Sequence, residues 1–510
     1  MLTKLETDSA ITPWRYPLRG IAIRLFITCW VIYALHFATN TVREIYPALS
    51  LGDHFSFDVS EYLGLHPDIF QLPDGGVYIN NNPGASILGA IPYALARPVI
   101  DPIIHRVQQM RAANPDAAPS EYDTIYPLAQ EFYRKSREMG YDIKFGLGAA
   151  VMQMGLMAPV SALSVVVMFY LLVSVTKSAQ AATWLAVLYA FATPVFYRAA
   201  ILNHNILQAH FALFAFAILW HPWEPERRRP GGHYVLAGFL TGYTLVLDYG
   251  GMVIVAVMGL YAIVRWWTLP AAAKSHWDVP LFVLGGGLAV AILWGYQWAA
   301  FGNPIFPAQR YMPETKYSPV GYNGIALPQL DLLWINAFGL RFGLFVASPL
   351  LLLALYVPAW FRQQDRLIGK WETALVLVLT LLMFLFTAAN QFSRLQFNSG
   401  VRHMVPVIPF LFLLAAGVLR RWPLWLAVFL GVAVTYWSWC QAMYRDVEQG
   451  LGIPDAFIRV TFGGFQLPWL STLERLGYIS PVTAVPILCL AALFIWLLWN
   501  LPLSSSRVVG

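Results

Sequence analysis

The chain has 510 residues, 58% of them hydrophobic and only 12% charged, with a net charge of +6. A soluble domain carries about twice that charged fraction, so a soluble enzyme is excluded and an all-α, polytopic helical membrane protein is expected. The basic balance does not indicate nucleic acid, because Lys and Arg stand beside apolar runs, where membrane orientation accounts for them.

The aromatic load of 20 Trp, 25 Tyr and 32 Phe suits interfacial belts and packed helix bundles. The three cysteines, Cys29, Cys440 and Cys489, lie in or at the ends of apolar runs without a CxxC, which points to neither a disulfide framework nor a metal site.

The first apolar run begins near Gly20, lacks a small-residue cleavage site and reads as an uncleaved span. Apolar runs then predict about twelve transmembrane helices, at 20–39, 147–176, 180–196, 203–220, 233–248, 250–266, 280–300, 338–360, 372–389, 403–419, 423–441 and 480–500. Residues 1–510 read as one membrane-embedded domain, with 40–146 a long outer loop inserted after the first span. Placing both termini in the cytoplasm puts Arg15, Arg19, Lys177, Arg227 to Arg229, Arg265, Arg362 and Arg420 on one inner side. The segments 40–146, 301–337, 390–402 and 442–479 then face outward. The apolar stretch 84–100 is short and interrupted by Pro92 and Pro98, and is expected to be a helix that lies at the outer interface or dips into the bundle.

Almost every polar group with chemical potential falls on that outer side. The first loop holds Arg43-Glu44, Asp53-His54, Asp58, Glu61 and Asp68, then Asp74-Gly75 and Asn80 to Asn82. Its carboxylates suit a general base or a cation site, against the alternative of a solvated loop. Asp74-Gly75 is a turn. His204 follows Asn203, a helix-capping residue, and suits a proton carrier, a metal ligand or a phosphate donor group. Asp248 ends a span, where the helix dipole opposes a carboxylate, so it calls for a partner. Arg310 with Tyr311, Arg341, Arg394 and Arg402 with His403 oppose the orientation rule, which bidentate capture of a phosphate explains. Ion pairing with Asp58, Glu61 or Asp248 is the alternative. No Walker, GxSxG, HExxH or CxxC motif is present, against an ATP-driven pump or a soluble-type hydrolase.

Five stretches, in order, resemble the membrane-embedded GT-C glycosyltransferases, and more closely the bacterial protein mannosyltransferase and aminoarabinose-transferase relatives. They are DGGVYINNNPGASILGAIPYAL from Asp74, LNHNILQAHFALFAFAIL from Leu202, LAGFLTGYTLVLDYGGM from Leu236, FGNPIFPAQRY from Phe301 with FGLRFGLFVASPLLLLAL from Phe338, and FNSGVRHMVPVIPFLFL from Phe397. The resemblance implies a transferase using a polyprenyl-phosphate sugar donor, a glycan, lipid or protein acceptor, and a direct, inverting displacement at the periplasmic face of a bacterial inner membrane. It implies no required cofactor; a divalent cation is compatible with the carboxylates. The family's Asp after the first span is Asn40 here, and the Lys before its Pro-Gly is missing. Asp58 is therefore the expected base, with Glu61 and Asp53 behind it. Arg43, Asn82, His204, Asp248, Arg310, Tyr311, Arg341, Arg394, Arg402 and His403 are the expected lipid-phosphate and substrate contacts. A transporter or flippase for a lipid-linked sugar or anionic solute is the alternative, and would need inverted repeats and broken helices at mid-depth.

Overall fold

A computed structural model describes residues 17–38, 41–114, 122, 127–224, 227–396, 401–444, 451–480 and 484–501. Asn40 and Phe397 to Gly400, which figured in the sequence reading, lie outside the described residues. In chain order come α1 (Leu18–Leu35), α2 (Ile45–His54), the antiparallel pair β1 (Ile69–Gln71) and β2 (Val77–Ile79), α3 (Gly84–Ala113), α4 (Pro127–Glu138) and α5 (Asp142–Thr176). Then follow α6 (Ala179–Phe191), α7 (His204–Trp220), α8 (Gly231–Leu247), α9 (Gly251–Thr268), α10 (Asp278–Phe301) and α11 (Leu330–Phe338). The chain closes with α12 (Lys370–Ala389), α13 (Val405–Leu419), α14 (Leu424–Met443), α15 (Ile453–Gly463), α16 (Pro468–Arg475) and α17 (Ala484–Asn500).

The protein is an all-α, multi-pass membrane protein: among the described residues 7 helices are long and apolar enough to cross a membrane, and α6, α7, α13 and α17 are shorter apolar helices. The expected spans coincide with helices to within a few residues, with two corrections. The stretch 338–360 is not one helix. It breaks into Leu344–Ala347, a 3₁₀ segment Pro349–Leu355 and Pro358–Phe361. Gly339 and Gly343 fold onto each other's backbone so tightly that a Cβ on Gly343 would lie 2.6 Å from Gly339, and Pro349 and Pro358 remove two further donors. Secondly, Pro92 and Pro98 do not interrupt α3, which runs through both, and through Pro102, to Ala113. Pro92 fills the space left by Gly155 of α5, where a Cβ would be 2.8 Å away. Proline here bends the helix without ending it. By length and apolarity α3 joins the candidate spans. Its neighbours, however, are α2 and the first half of α5, with Tyr93 beside Gly52 and Gly148.

Close backbone approach sets the tightest helix pair. Gly238 and Gly242 of α8 face Gly285 and Gly286 of α10, and a Cβ on Gly238 would sit 1.9 Å from the Phe282 carbonyl. A small-residue spacing of this kind is what lets helices associate where lipid offers no hydrophobic driving force. α5 carries a π turn at Gln153–Met157. It aims the buried Gln153 amide at the carbonyls of Tyr33 (2.8 Å) and Ala199 (2.9 Å), tying the end of α1 to the segment before α7.

Candidate active site

Three docking contacts bring distant segments to one place. The chain leaving α1 is held by the Ala38 amide donating to the Ala200 carbonyl at 2.9 Å. The β1–β2 hairpin and the start of α3 dock on the C-terminus of α8. There the Asn82 amide donates to the Leu245 carbonyl at 2.9 Å, and the Tyr243 hydroxyl donates to Gly84 at 3.0 Å. Gly84 must be glycine in that contact, since a Cβ would lie 2.8 Å from the Val246 carbonyl. The third contact is the loop before α13: the Val401 carbonyl accepts from the Tyr197 hydroxyl at 3.0 Å and from Arg198 Nε at 2.8 Å.

At their meeting point stands a buried polar cluster. Asn203 caps α7, its Oδ1 accepting from the Ile206 amide at 3.1 Å, which places His204 in the first turn. Its Nδ1 bonds to Glu44 Oε1, and its Nε2 lies 3.5 Å from Asp248 Oδ2. His204 therefore sits between two carboxylates contributed by segments far apart in the chain. Gln208, one turn on, holds the end of α8 by donating to the Thr244 (2.8 Å) and Asp248 (3.0 Å) carbonyls. Asp248 Oδ1 accepts from the Gly250 amide at 2.8 Å, leaving Oδ2 toward His204. Glu44 is buried, whereas the Asp248 side chain keeps 31% of its exposure. Of the two, Asp248 is the one a substrate can reach.

Cations surround this pair. Arg43 donates to the Asn80 carbonyl at 3.1 Å and lies 3.7 Å from Asp68 and 3.9 Å from Glu44. Arg402 is anchored through its backbone amide, which donates to Gln396 Oε1 at 3.1 Å. Its guanidinium has no hydrogen bond or ion pair among the described residues. Burial and then the charge of Arg43 lower the Arg402 pKa to about 10, against the pull of Glu44 and Asp248. His403 is held well below the ordinary value, by burial first and then by Arg402, so its imidazole is neutral. Burial pushes Glu44 up, but the bond to His204 and the charges of His204, Arg43 and Arg402 outweigh it and hold the carboxyl at about 2. The Nε2 atoms of His204 and His403, Asn80 Oδ1 and Asn81 Nδ2 are buried without a hydrogen-bond partner. Orphaned buried polar atoms are costly, and several converging on one place are what a polar ligand would satisfy.

The expected site residues divide between this cluster and other places. Arg43, His204, Asp248, Arg402 and His403 come together. Asn82 lines the region, but its amide is used in docking the hairpin. Asp58 is a correction: its Oδ1 accepts from the Ser60 amide at 2.9 Å and its Oδ2 from the Val77 amide at 3.0 Å, pinning the hairpin to the loop. Burial raises its pKa, but those bonds hold it below the ordinary value. A carboxylate with both oxygens on backbone amides is a structural brace.

Asp53 and Glu61 form a second cluster. Asp53 accepts from the Tyr93 hydroxyl at 3.1 Å and pairs with Lys144 at 2.7 Å and Arg97 at 3.2 Å; Lys144 lies 3.8 Å from Glu61. With His54, these residues bring ligand-type atoms within 4.8 Å of one another. The ammonium and guanidinium groups already neutralise the two carboxylates, so the donor set does not fit a divalent cation without displacing Lys144.

Arg394 is taken up by Asp331 at 2.6 Å and Gln329 at 2.7 Å. Arg310 lies exposed over the Phe306 ring, and Tyr311 stacks on Phe301 at 4.9 Å. Arg341 is exposed in the broken 338–360 stretch, beside Phe342 and Gly452. Among the described residues no hydrogen bond or ion pair joins any of these four to the cluster. Sequence reasoning missed the role of Glu44, and it missed Arg198. Glu44 adjoins Arg43 and could have been read as an acid at the family's loop position; Arg198 sits in an apolar run and gave no signal.

No family model matches the chain, and no curated protein matches it. Two solved structures are similar to it: the Archaeoglobus fulgidus oligosaccharyltransferase in the apo form, and the archaeal oligosaccharyltransferase AglB from Archaeoglobus fulgidus in complex with an inhibitory peptide and a dolichol-phosphate. Both are 10% identical, with TM-scores of 0.38 and 0.36, over 92% and 90% of this chain. The chain spans little more than half of those proteins, 57% and 56%.

Proposed function

We propose that the chain is an integral-membrane glycosyltransferase that moves a sugar from a polyprenyl-phosphate donor to an acceptor hydroxyl at the periplasmic face of a bacterial inner membrane, with inversion. The observation that carries this reading is the Arg402 guanidinium, without an acceptor among the described residues, beside Arg43, Arg198 and His403 and next to the His204-linked carboxylates. Such a group needs an anion, and a phosphate with planar, bidentate geometry is the anion that guanidinium suits.

In the reaction the acceptor oxygen bonds to the sugar's anomeric carbon. The bond from that carbon to the donor phosphate oxygen breaks, and its electron pair stays on the phosphate. Arg402, with Arg43 and Arg198 behind it, stabilises that developing charge. Asp248 is the more exposed of the two carboxylates and takes the acceptor proton. Glu44 holds His204, and His204 in turn orients Asp248. The five stretches of family resemblance support the same donor class. Donor activation removes any need for ATP.

The test is transfer of radiolabelled sugar from a polyprenyl-phosphate donor to membrane extract by the purified protein in nanodiscs. Label is expected in a product that requires the wild-type protein and is lost with Asp248→Asn. Absence of transfer across hexosyl and pentosyl donors, or wild-type turnover by Asp248→Asn, overturns the reading.

A further inference from the structure

Outside the site lies a cavity of about 1140 Å³, enclosed by α3, α4, the first turns of α5 and α16. Its walls are built from Phe37, Met110, Phe132, Phe145, Leu147 and Trp469, and the apolar surface predominates. The charged groups at its edge are three arginines, Arg111, Arg134 and Arg137, and three carboxylates, Glu131, Glu138 and Asp142. Arg111 is bidentate to Asp142 (2.9 and 2.6 Å) and Arg134 pairs with Glu138 at 2.7 Å. Among the described lining residues these charges balance, three against three.

The cavity is continuous in sequence with the site. Thr41 lines it, with Oγ1 buried and unpartnered. Thr41 and Glu44 are three residues apart, at most ~11 Å of chain. On the same side Phe145 packs on Tyr46 at 5.4 Å, and Phe37 stacks on Trp469 at 5.6 Å. The volume slightly exceeds the ~300–1,000 Å³ of pockets for drug-sized ligands, which suits a chain and not a sugar. The enclosing helices include α4 and α16, which lie between the expected spans, beside α3 and α5, which are candidate spans. A donor whose phosphate is captured at the boundary can leave its tail in lipid, whereas an acceptor must bring its hydroxyl up to Asp248.

We infer that this cavity binds the apolar chain of an amphiphilic acceptor, a lipid with a hydroxyl-bearing head. The inference rests on the transferase reading for the word acceptor alone; the preference for an apolar chain rests on the cavity. It makes the substrate a membrane lipid in place of a protein or free glycan.

Gly146 provides the test. It lines the cavity, and a Cβ there meets nothing within 4 Å, so Gly146→Phe enters open space without a clash and adds helix propensity. Leu473→Trp fills the cavity from the opposite wall. The probe is a diazirine-bearing 16-carbon phospholipid in nanodiscs of phosphatidylethanolamine and phosphatidylglycerol, photolysed and mapped by peptide mass spectrometry. Wild-type protein is expected to label within 143–150 and 469–476. Gly146→Phe should reduce that label at least tenfold while melting like wild type, Gly146→Ala should retain it, and polyprenyl phosphate should not compete. No label in these segments, label undiminished in both filling variants, or competition by polyprenyl phosphate overturns the inference, the last by making the donor tail the occupant. Labelling needs no turnover. Failure of sugar transfer therefore counts against the proposed function and leaves the chain preference to be decided by the label.

Discussion

The first loop contributes carboxylates to two clusters that resemble each other in composition and differ in how their charges are used. In one, Asp53 meets Tyr93, Lys144 and Arg97, and each cation has its carboxylate. In the other, Glu44 and Asp248 are linked through His204. Arg402 has no acceptor among the described residues, and His403 Nε2 is buried without a hydrogen-bond partner. Acids and bases gathered together are therefore not the mark of a site. Both clusters hold buried polar atoms without hydrogen-bond partners, Glu61 Oε1 and Arg97 Nε among them; what separates them is that the cations of the first are ion-paired, whereas the Arg402 guanidinium of the second has binding energy left for a ligand.

The comparison can be broken most sharply at the base. Asp248→Asn is expected to lower sugar transfer by about 10² to 10⁴, the usual range for a positioned general base, whereas Asp53→Asn is expected to act through stability. Equal losses of turnover per folded molecule would erase the distinction. Next comes the phosphate cradle. Arg402→Ala should cost about 10² to 10³ in transfer, as for loss of one charge-stabilising donor. Arg394→Ala should stay within about twofold, its guanidinium being taken up by Asp331 and Gln329.

The third prediction concerns acid stability. Glu44 stands at about 2 in the folded protein against an ordinary 4.5. It stays ionised after the unfolded chain has taken up its proton. Its contribution is full above pH 4.5 and is lost as pH falls toward 2, with an order of magnitude of ~3 kcal/mol. Glu44→Gln should flatten that limb of the melting curve; an unchanged acid limb would show that His204 gives Glu44 no such advantage. The smallest effect is expected at Asp58→Asn: about 1 kcal/mol of stability through weakened bonds to Ser60 and Val77, with transfer per folded molecule unchanged.

Much of the fold was legible because hydropathy and capping are local. α1, α7, α9, α12 and α14 begin and end close to where apolar runs, Asn203 and the flanking basic residues put them. The interruption at 338–360 was not, since nothing in the apolar run marks the extended backbone that Gly339 and Gly343 adopt there. Of the site, Arg43, His204, Asp248, Arg402 and His403 were legible as polar groups at one boundary. The loop position of Asp58 said nothing of the two amides that bind its oxygens.

The amino-acid sequence by itself determined that this is a multi-pass helical protein, and it led to the expectation that polar chemistry gathers at one end of the spans. Charge density, run length and cap residues act over a few turns. Only the tertiary structure decided which of those groups meet. Glu44 reaches His204, and His204 reaches Asp248, through the Gly84 docking on α8, the Gln153 tie and the Val401 anchor. These are contacts between segments distant in sequence, and their geometry depends on backbone approach that no local pattern encodes.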